Sequence, residues 1–234
     1  MSVEREAPGA ASPVLTAFEA TVRAQQPIPA DHYDESYFAS GWREGDNRYD
    51  LDTRRRIEAR NPQLIKEVFQ PERVLDVGCG PGFLMLFLLE LGIEVDGIDY
   101  STDSLALAPP EVHDRITVGD VTDLLVPDRS YDLVVCREVM EHLSVLQVRQ
   151  TIHAICRASS RYAYVTTRFH PEPESLLSVT TEFEVDPSHI TLLNKDLLRL
   201  LFVLEGFASR PDLEERMDWG GKGRVLVYER TGEA

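Results

Sequence analysis

Three carboxylates, Asp76, Asp99 and Asp120, punctuate the middle of this 234-residue chain, and the first is followed by three glycines within five positions, Gly78-Cys79-Gly80-Pro81-Gly82. Glycines at that density let a backbone approach a ligand closely and turn through positive φ angles. The loop follows a short apolar run, "RVLDV", and precedes an apolar stretch of helical character, "FLMLFLLELG". In an open α/β sheet, that handover from strand to helix is where ligands bind. A dinucleotide loop would space its glycines as G-x-G-x-x-G, but here the third glycine comes one residue early. Asp76 would also repel a pyrophosphate, and it would attract an ammonium group. Asp99 closes the next apolar run, where a carboxylate can accept both hydroxyls of a ribose. Asp120, in "VGDVTDL", follows a third run and could accept from the exocyclic amine of adenine.

The ligand these carboxylates describe has an amine, a ribose and a purine, and no phosphate. S-adenosylmethionine meets that description, and its sulfonium charge suits an acidic pocket. To present the carboxylates together, the chain must place them at strand ends. Short apolar strands alternate with helices from residue 73 onward, the pattern of a doubly wound, Rossmann-like and mostly parallel sheet. Strands are expected over 73–77, 94–98, 116–118, 131–136 and 162–167, and helices over 82–91, 101–108, 141–156 and 194–205. The last segments, "ASRPDLEERM" and "GRVLVYER", read as two strands around "DWGGKG", a C-terminal antiparallel hairpin.

Forty acidic against 24 basic residues give a formal charge of −16. This disfavours nucleic acid and anionic membranes as partners. No apolar run approaches the roughly 20 residues of a membrane span, and the N-terminus lacks the basic start and apolar core of a signal peptide. Cys79, Cys136 and Cys156 are scattered without metal or disulfide spacing, which suits a reducing cytoplasm. We expect a flexible arm over 1–30, a lid with helices over 31–72, rich in Tyr33, Tyr37, Phe38, Trp42 and Tyr49, and a ligand-binding core over 73–234. A homodimer is left open.

With these motifs in this order, the chain resembles a class I S-adenosylmethionine-dependent methyltransferase of the small-molecule type. "VLDVGCGPG" is similar to that family's first motif, "VDGIDYS" to its ribose-binding acidic position, "VGDVTDL" to its adenine-side motif, and "YDLVVCREVMEHL" to its fourth strand and the helix after it. The closing "DPSHITLLNKDLLRLLFVLEGF" fits as well, while the Pro-Gly-Gly turn many relatives place before the fifth strand is replaced by "ICRASSRYAYVTT". The resemblance implies that Asp76, Gly78, Cys79 and Gly80 hold the methionine part, Asp99 the ribose, and Tyr100, Asp120 and Val121 the adenine. It places Arg137 or Glu138 beneath the cofactor and Tyr37 over it. The bland alternatives are that Tyr37 and Tyr100 pack and that Asp120 caps a helix.

Methyl transfer is an in-line displacement, so a protein supplies alignment, dryness and, where needed, a base. Glu138, His142 and His189 are the candidate catalytic groups. If a helix began at Glu138, then Glu138, Glu141 and His142 would share one face. With His189 or His170 they could bind a divalent metal, as the similar "E-x-x-E-H" stretches of small-RNA 2′-O-methyltransferases and ubiquinone-pathway O-methyltransferases do. A metal is nevertheless disfavoured, because the same stretch is widespread in metal-free relatives. The basic run Arg43, Arg54, Arg55 and Arg56 reads as a solvated face or as a grip on an anionic acceptor. Four functions therefore compete: methyl transfer to an oxygen or nitrogen of a small-molecule acceptor, in secondary or sugar metabolism; a metal-dependent RNA 2′-O-methyltransferase; a non-catalytic cofactor-binding partner subunit; and, against the glycine spacing, a nicotinamide oxidoreductase.

Overall fold

A computed structural model describes residues 19–20, 22–23, 25–40, 48–58, 60–171, 177–178 and 186–232. Most of the expected arm, together with Trp42 and Arg43, lies outside the described residues. Gln25, at the end of that arm, is fastened: its side chain donates to Ile190 O and Thr191 Oγ1 and accepts from Val145 N.

The strands in chain order are β1 (Arg73–Val77), β2 (Glu94–Asp99), β3 (Ile116–Val118), β4 (Tyr131–Arg137), β5 (Ser159–Thr166), β6 (Leu177–Ser178), β7 (Leu192–Leu193), β8 (Phe207–Ser209) and β9 (Val225–Arg230). Seven of them form one sheet in the order β3-β2-β1-β4-β5-β9-β8, and β6 pairs with β7 apart from it. Neighbours among β1 to β5 run parallel. β9 is antiparallel to both β5 and β8. The fold is thus the mostly parallel, Rossmann-like sheet with an antiparallel C-terminal edge that the sequence pattern implies.

Helices cover both faces, which is why the central strands read as nearly unbroken apolar runs. They are α1 (Glu35–Ser40), α2 (Leu51–Glu58), α3 (Asn61–Phe69), α4 (Phe83–Glu90), α5 (Thr102–Ala106), α6 (Pro110–His113), α7 (Val145–Ala158), α8 (Lys195–Leu204) and α9 (Pro211–Met217). Successive residues of β4 point to opposite layers. Leu133 and Val135 pack with Ile65 of α3, Leu88 of α4 and Leu213 of α9, while Val134 and Cys136 pack with Ile152 of α7 and Phe202 of α8. This two-sided core anchors the strand ends that carry the site.

Two expectations need correction. "PDLEERM" is helix α9, not strand. Pro211 suits a first helical position, and Leu213 and Met217, both buried, repeat at a helical spacing that the strand reading overlooked. The antiparallel pairing of β8 and β9 stands, with this helix inside the connection. The second correction concerns the expected helix over 141–156. It starts at Val145, where Ser144 and Gln147 form a capping box, and Met140–His142 before it is a separate 3-10 turn.

Candidate active site

Strand order reverses between β1 and β4, so their carboxyl ends open a crevice at the switch point. One cavity there is lined by Tyr37, Asp76, Gly78, Cys79, Gly80, Asp99, Tyr100, Asp120, Val121, Arg137, Glu138 and His142. Every residue expected to hold the cofactor or to act in catalysis is in this lining except His189; Glu141 and His170, expected only as metal ligands, are outside it.

The three loop glycines serve different needs. Gly78 (φ 74°) has no room for a Cβ, which would stand 2.3 Å from Val139 Cγ2, and at Gly82 (φ 77°) a Cβ would stand 3.0 Å from Ile116 Cδ1. Both are demanded by the protein's own packing. Gly80 (φ 54°) meets nothing closer than 3.8 Å, so its bare Cα is the one that leaves space for a ligand. Asp99 sets the loop: its Oδ2 accepts from Gly80 N at 2.7 Å, and its Oδ1 from Ser101 N at 2.9 Å and Ser104 Oγ at 3.0 Å. Burial raises the Asp99 carboxyl, and these hydrogen bonds oppose the rise. Asp120 starts no helix; its Oδ1 accepts from Thr122 N and Oγ1 in a local turn, leaving Oδ2 for a ligand. Tyr100 is 42% exposed at the rim.

At the cavity floor, burial pushes the Asp76 carboxyl up to about 7, with Arg137 opposing the rise and Glu58 and Asp99 adding to it. Arg137 donates to Glu58 through Nη1 (2.8 Å) and Nη2 (3.3 Å). Asn61 Nδ2 donates to the same carboxylate at 2.7 Å, and Arg54 Nη1 lies 3.9 Å from it. Burial would raise Glu58, but Arg137, Asn61 and Arg54 outweigh it and hold the carboxyl below its ordinary value. Arg54 and Glu58 both line the cavity, and the Arg54 guanidinium lies 3.6 Å from the centroid of the Tyr49 ring. Sequence reasoning missed Glu58 and left Arg54 in a basic run. The signal available was their i, i+4 spacing on a helix. Only Arg54 of that helix's three arginines turns inward: Arg55 pairs with Glu90 at 2.6 Å, and Arg56 is exposed.

The expected Glu138, Glu141 and His142 face does not form, because the backbone turns out of β4 at Glu138 with φ 53° instead of entering a helix. Glu138 lines the cavity and pairs with Arg168 and Arg224 at 3.6 and 3.5 Å. Glu141 is wholly buried and accepts from Thr167 Oγ1 at 2.7 Å, and its other oxygen has no hydrogen-bond partner among the described residues. Burial, followed by the charge of Glu138, pushes its carboxyl well above the ordinary range.

His142 turns the other way. Its Nδ1 is 2.9 Å from Ser188 Oγ, and Ser188 Oγ donates to Asp186 Oδ1 at 2.6 Å. Burial pushes the imidazole down to about 3, with neighbouring His189 adding to the effect. His189 lies 4.7 Å from His142, ring to ring, and 3.8 Å from Asp186 Oδ2. Glu141, His142 and His189 each offer a ligand atom, all within 4.8 Å of one another; Glu138 and His170 do not join this group. The lid closes over these loops, with the Tyr37 hydroxyl donating to Asp186 Oδ2 at 3.4 Å and Ser101 Oγ donating to Tyr33 O at 2.6 Å.

An open α/β sheet with a glycine loop and acidic strand ends at its switch point defines a nucleoside-binding class of fold. Comparison with known proteins narrows that class. Residues 74–161 match the family described as "Methyltransferase domain". A ubiquinone biosynthesis O-methyltransferase of Burkholderia vietnamiensis (strain G4 / LMG 22486) is 37% identical over 78 residues, covering 31% of this chain and 34% of that protein. The match therefore spans about a third of that curated relative's length. Among solved structures, the PH0226 protein from Pyrococcus horikoshii OT3 superposes with a TM-score of 0.56 at 22% identity, covering 78% of this chain and 93% of the other. A magnesium protoporphyrin IX methyltransferase from Synechocystis PCC 6803, solved with bound S-adenosylmethionine, superposes with a TM-score of 0.57 at 18% identity, covering 86% and 95%. Residues 74–161 are thus similar to a methyltransferase domain, and the fold around them is one that solved S-adenosylmethionine-dependent methyltransferases share.

Proposed function

We propose that this chain is an S-adenosylmethionine-dependent methyltransferase that moves a methyl group to an oxygen or nitrogen of a small-molecule acceptor. The observation that carries the reading is the cavity in which Gly80, Asp76, Asp99 and Asp120 converge from the ends of successive strands. The residues fit the cofactor group by group. Gly80 leaves room for its backbone-hugging part, and Asp99 offers acceptors to the ribose. The free oxygen of Asp120 and the ring of Tyr100 suit adenine. Asp76 suits the methionine ammonium, and the guanidinium of Arg54 suits the methionine carboxylate. When bound, the cofactor supplies an activated methyl on a sulfonium. The chain's residues hold it in line, keep water out beneath the tyrosine lid, and take up the acceptor's proton.

The name of the curated relatives supports oxygen over nitrogen as the acceptor atom, and the net charge of −16 supports a small molecule over nucleic acid. We place the reaction in secondary or sugar metabolism in the cytoplasm. No helix among the described residues is long and apolar enough to cross a membrane.

Incubation with methyl-labelled S-adenosylmethionine and a panel of hydroxylated and aminated small molecules tests this reading. Transfer of label into one acceptor class, with equimolar S-adenosylhomocysteine, is expected; label in RNA instead would overturn it. A second reading, metal-assisted transfer, is favoured by one observation, the three ligand atoms of Glu141, His142 and His189 within 4.8 Å. Activity that disappears on chelation and returns with Mg²⁺ would establish it.

A further inference from the structure

Ser188 has a single hydroxyl hydrogen, and a carboxylate can only accept. With Ser188 Oγ 2.6 Å from Asp186 Oδ1, that hydrogen lies between the two. The same Asp186 oxygen takes Ser188 N at 2.8 Å, while the Tyr37 hydroxyl approaches the other at 3.4 Å, so the carboxylate is fixed from both sides. Ser188 Oγ therefore has only lone pairs left for His142 Nδ1, which stands 2.9 Å away, and for the Tyr33 and Tyr37 hydroxyls that also hydrogen-bond it. The imidazole must donate there, and a neutral imidazole that donates from Nδ1 keeps its lone pair on Nε2. Ser188 and Asp186 are both buried, and neither lines the cavity, whereas His142 does.

We propose that Asp186 and Ser188 are positioning residues that hold His142 as the Nδ1–H tautomer, leaving Nε2 as the proton acceptor for the methyl acceptor's hydroxyl. The inference rests on the methyltransferase reading above. In the step it serves, the acceptor oxygen forms a bond to the methyl carbon as the carbon–sulfur bond breaks. The sulfur keeps that electron pair and becomes a neutral thioether. Bonded to the methyl, the positive oxygen is acidic enough to pass its proton to Nε2 even though burial makes the imidazole a weak base, and the resulting imidazolium donates from Nδ1 to Ser188, whose own hydrogen is directed at Asp186. The arrangement follows the logic of an aspartate that sets a histidine's tautomer and then stabilises its cation, with a serine hydroxyl interposed.

Nitrogen NMR of the full chain labelled at its histidine rings, metal-stripped and loaded with S-adenosylhomocysteine, tests this without knowledge of the acceptor. His142 is assigned by the signals lost in His142→Gln. The expected parent has a protonated Nδ1 and a bare Nε2. In Asp186→Asn the new amide can donate to Ser188 Oγ and turn the serine hydrogen toward Nδ1, so the pattern should interchange. Ser188→Thr keeps the hydroxyl and should retain the parent pattern. A parent protonated at Nε2, an unchanged pattern in Asp186→Asn, or an Nε2 signal that moves on addition of Mg²⁺ would each overturn the proposal. Calorimetry with S-adenosylhomocysteine separates the two levels: the Asp186→Asn variant should bind within a few-fold of the parent. A parent that does not bind it at all would defeat the cofactor reading, while the tautomer would still be read from the spectrum.

Discussion

Replacing Glu58 with alanine should lower the unfolding free energy by about 3–5 kcal/mol, the cost of stranding a buried charge. Glu58 is buried, Arg137 is partly buried beside it, and two hydrogen bonds join them at the cavity floor. Removing the carboxylate leaves a guanidinium that cannot shed its proton, with Asp76 as its remaining charged neighbour. Denaturant melts would read the change. The Glu58→Met, Arg137→Met double variant should recover part of the loss, because an apolar pair strands no charge. A single variant within about 1 kcal/mol of the parent, the range of an exposed pair, would show that the pair is solvated. The pH dependence has a definite sign. Because the folded-state carboxyl is held below its ordinary value, the contribution is fully present above the unfolded-state pKa and is lost as pH falls through the folded value. The gap between parent and variant should therefore narrow in acid.

Asp99→Ala should weaken S-adenosylhomocysteine binding by about 100-fold, or roughly 3 kcal/mol. A hydrogen bond to a charged group is worth about 1.5–3 kcal/mol, and a ribose brings two hydroxyls. The carboxylate also holds Gly80 N at 2.7 Å, so its loss loosens the glycine loop against which the ligand lies. Asp99→Asn keeps one acceptor oxygen and should fall between parent and alanine. Unchanged affinity in Asp99→Ala, measured by calorimetry on folded protein, would remove the ribose assignment.

The half of the cavity around the glycine loop was legible because its determinants are local. The loop after β1, the carboxylate ending β2 and the turn after β3 are each contiguous motifs whose chemistry follows from their place at a strand end. The half around His142 was not, because its geometry depends on chain segments far apart. A single positive φ at Glu138 breaks the helical face that "EVMEH" suggested, sending Glu141 into the core and His142 toward Ser188. The partners of His142 come from residues 186–189, and nothing in their local pattern shows that they fold against the end of β4. Arg54 and Glu58 were obscured for a related reason: a run of three arginines reads as solvated until the fold shows which one faces inward. At the C-terminus, Pro211 was the overlooked signal, since it starts a helix as readily as it ends a strand.

The central claim is that this cavity is built for an adenosyl amino acid and not for a dinucleotide. Isothermal calorimetry of the metal-stripped protein with S-adenosylhomocysteine, with NAD as the control, tests it most directly. The account predicts one-to-one binding of S-adenosylhomocysteine and no heat with NAD. NAD binding, or no binding of S-adenosylhomocysteine to folded protein, would contradict it.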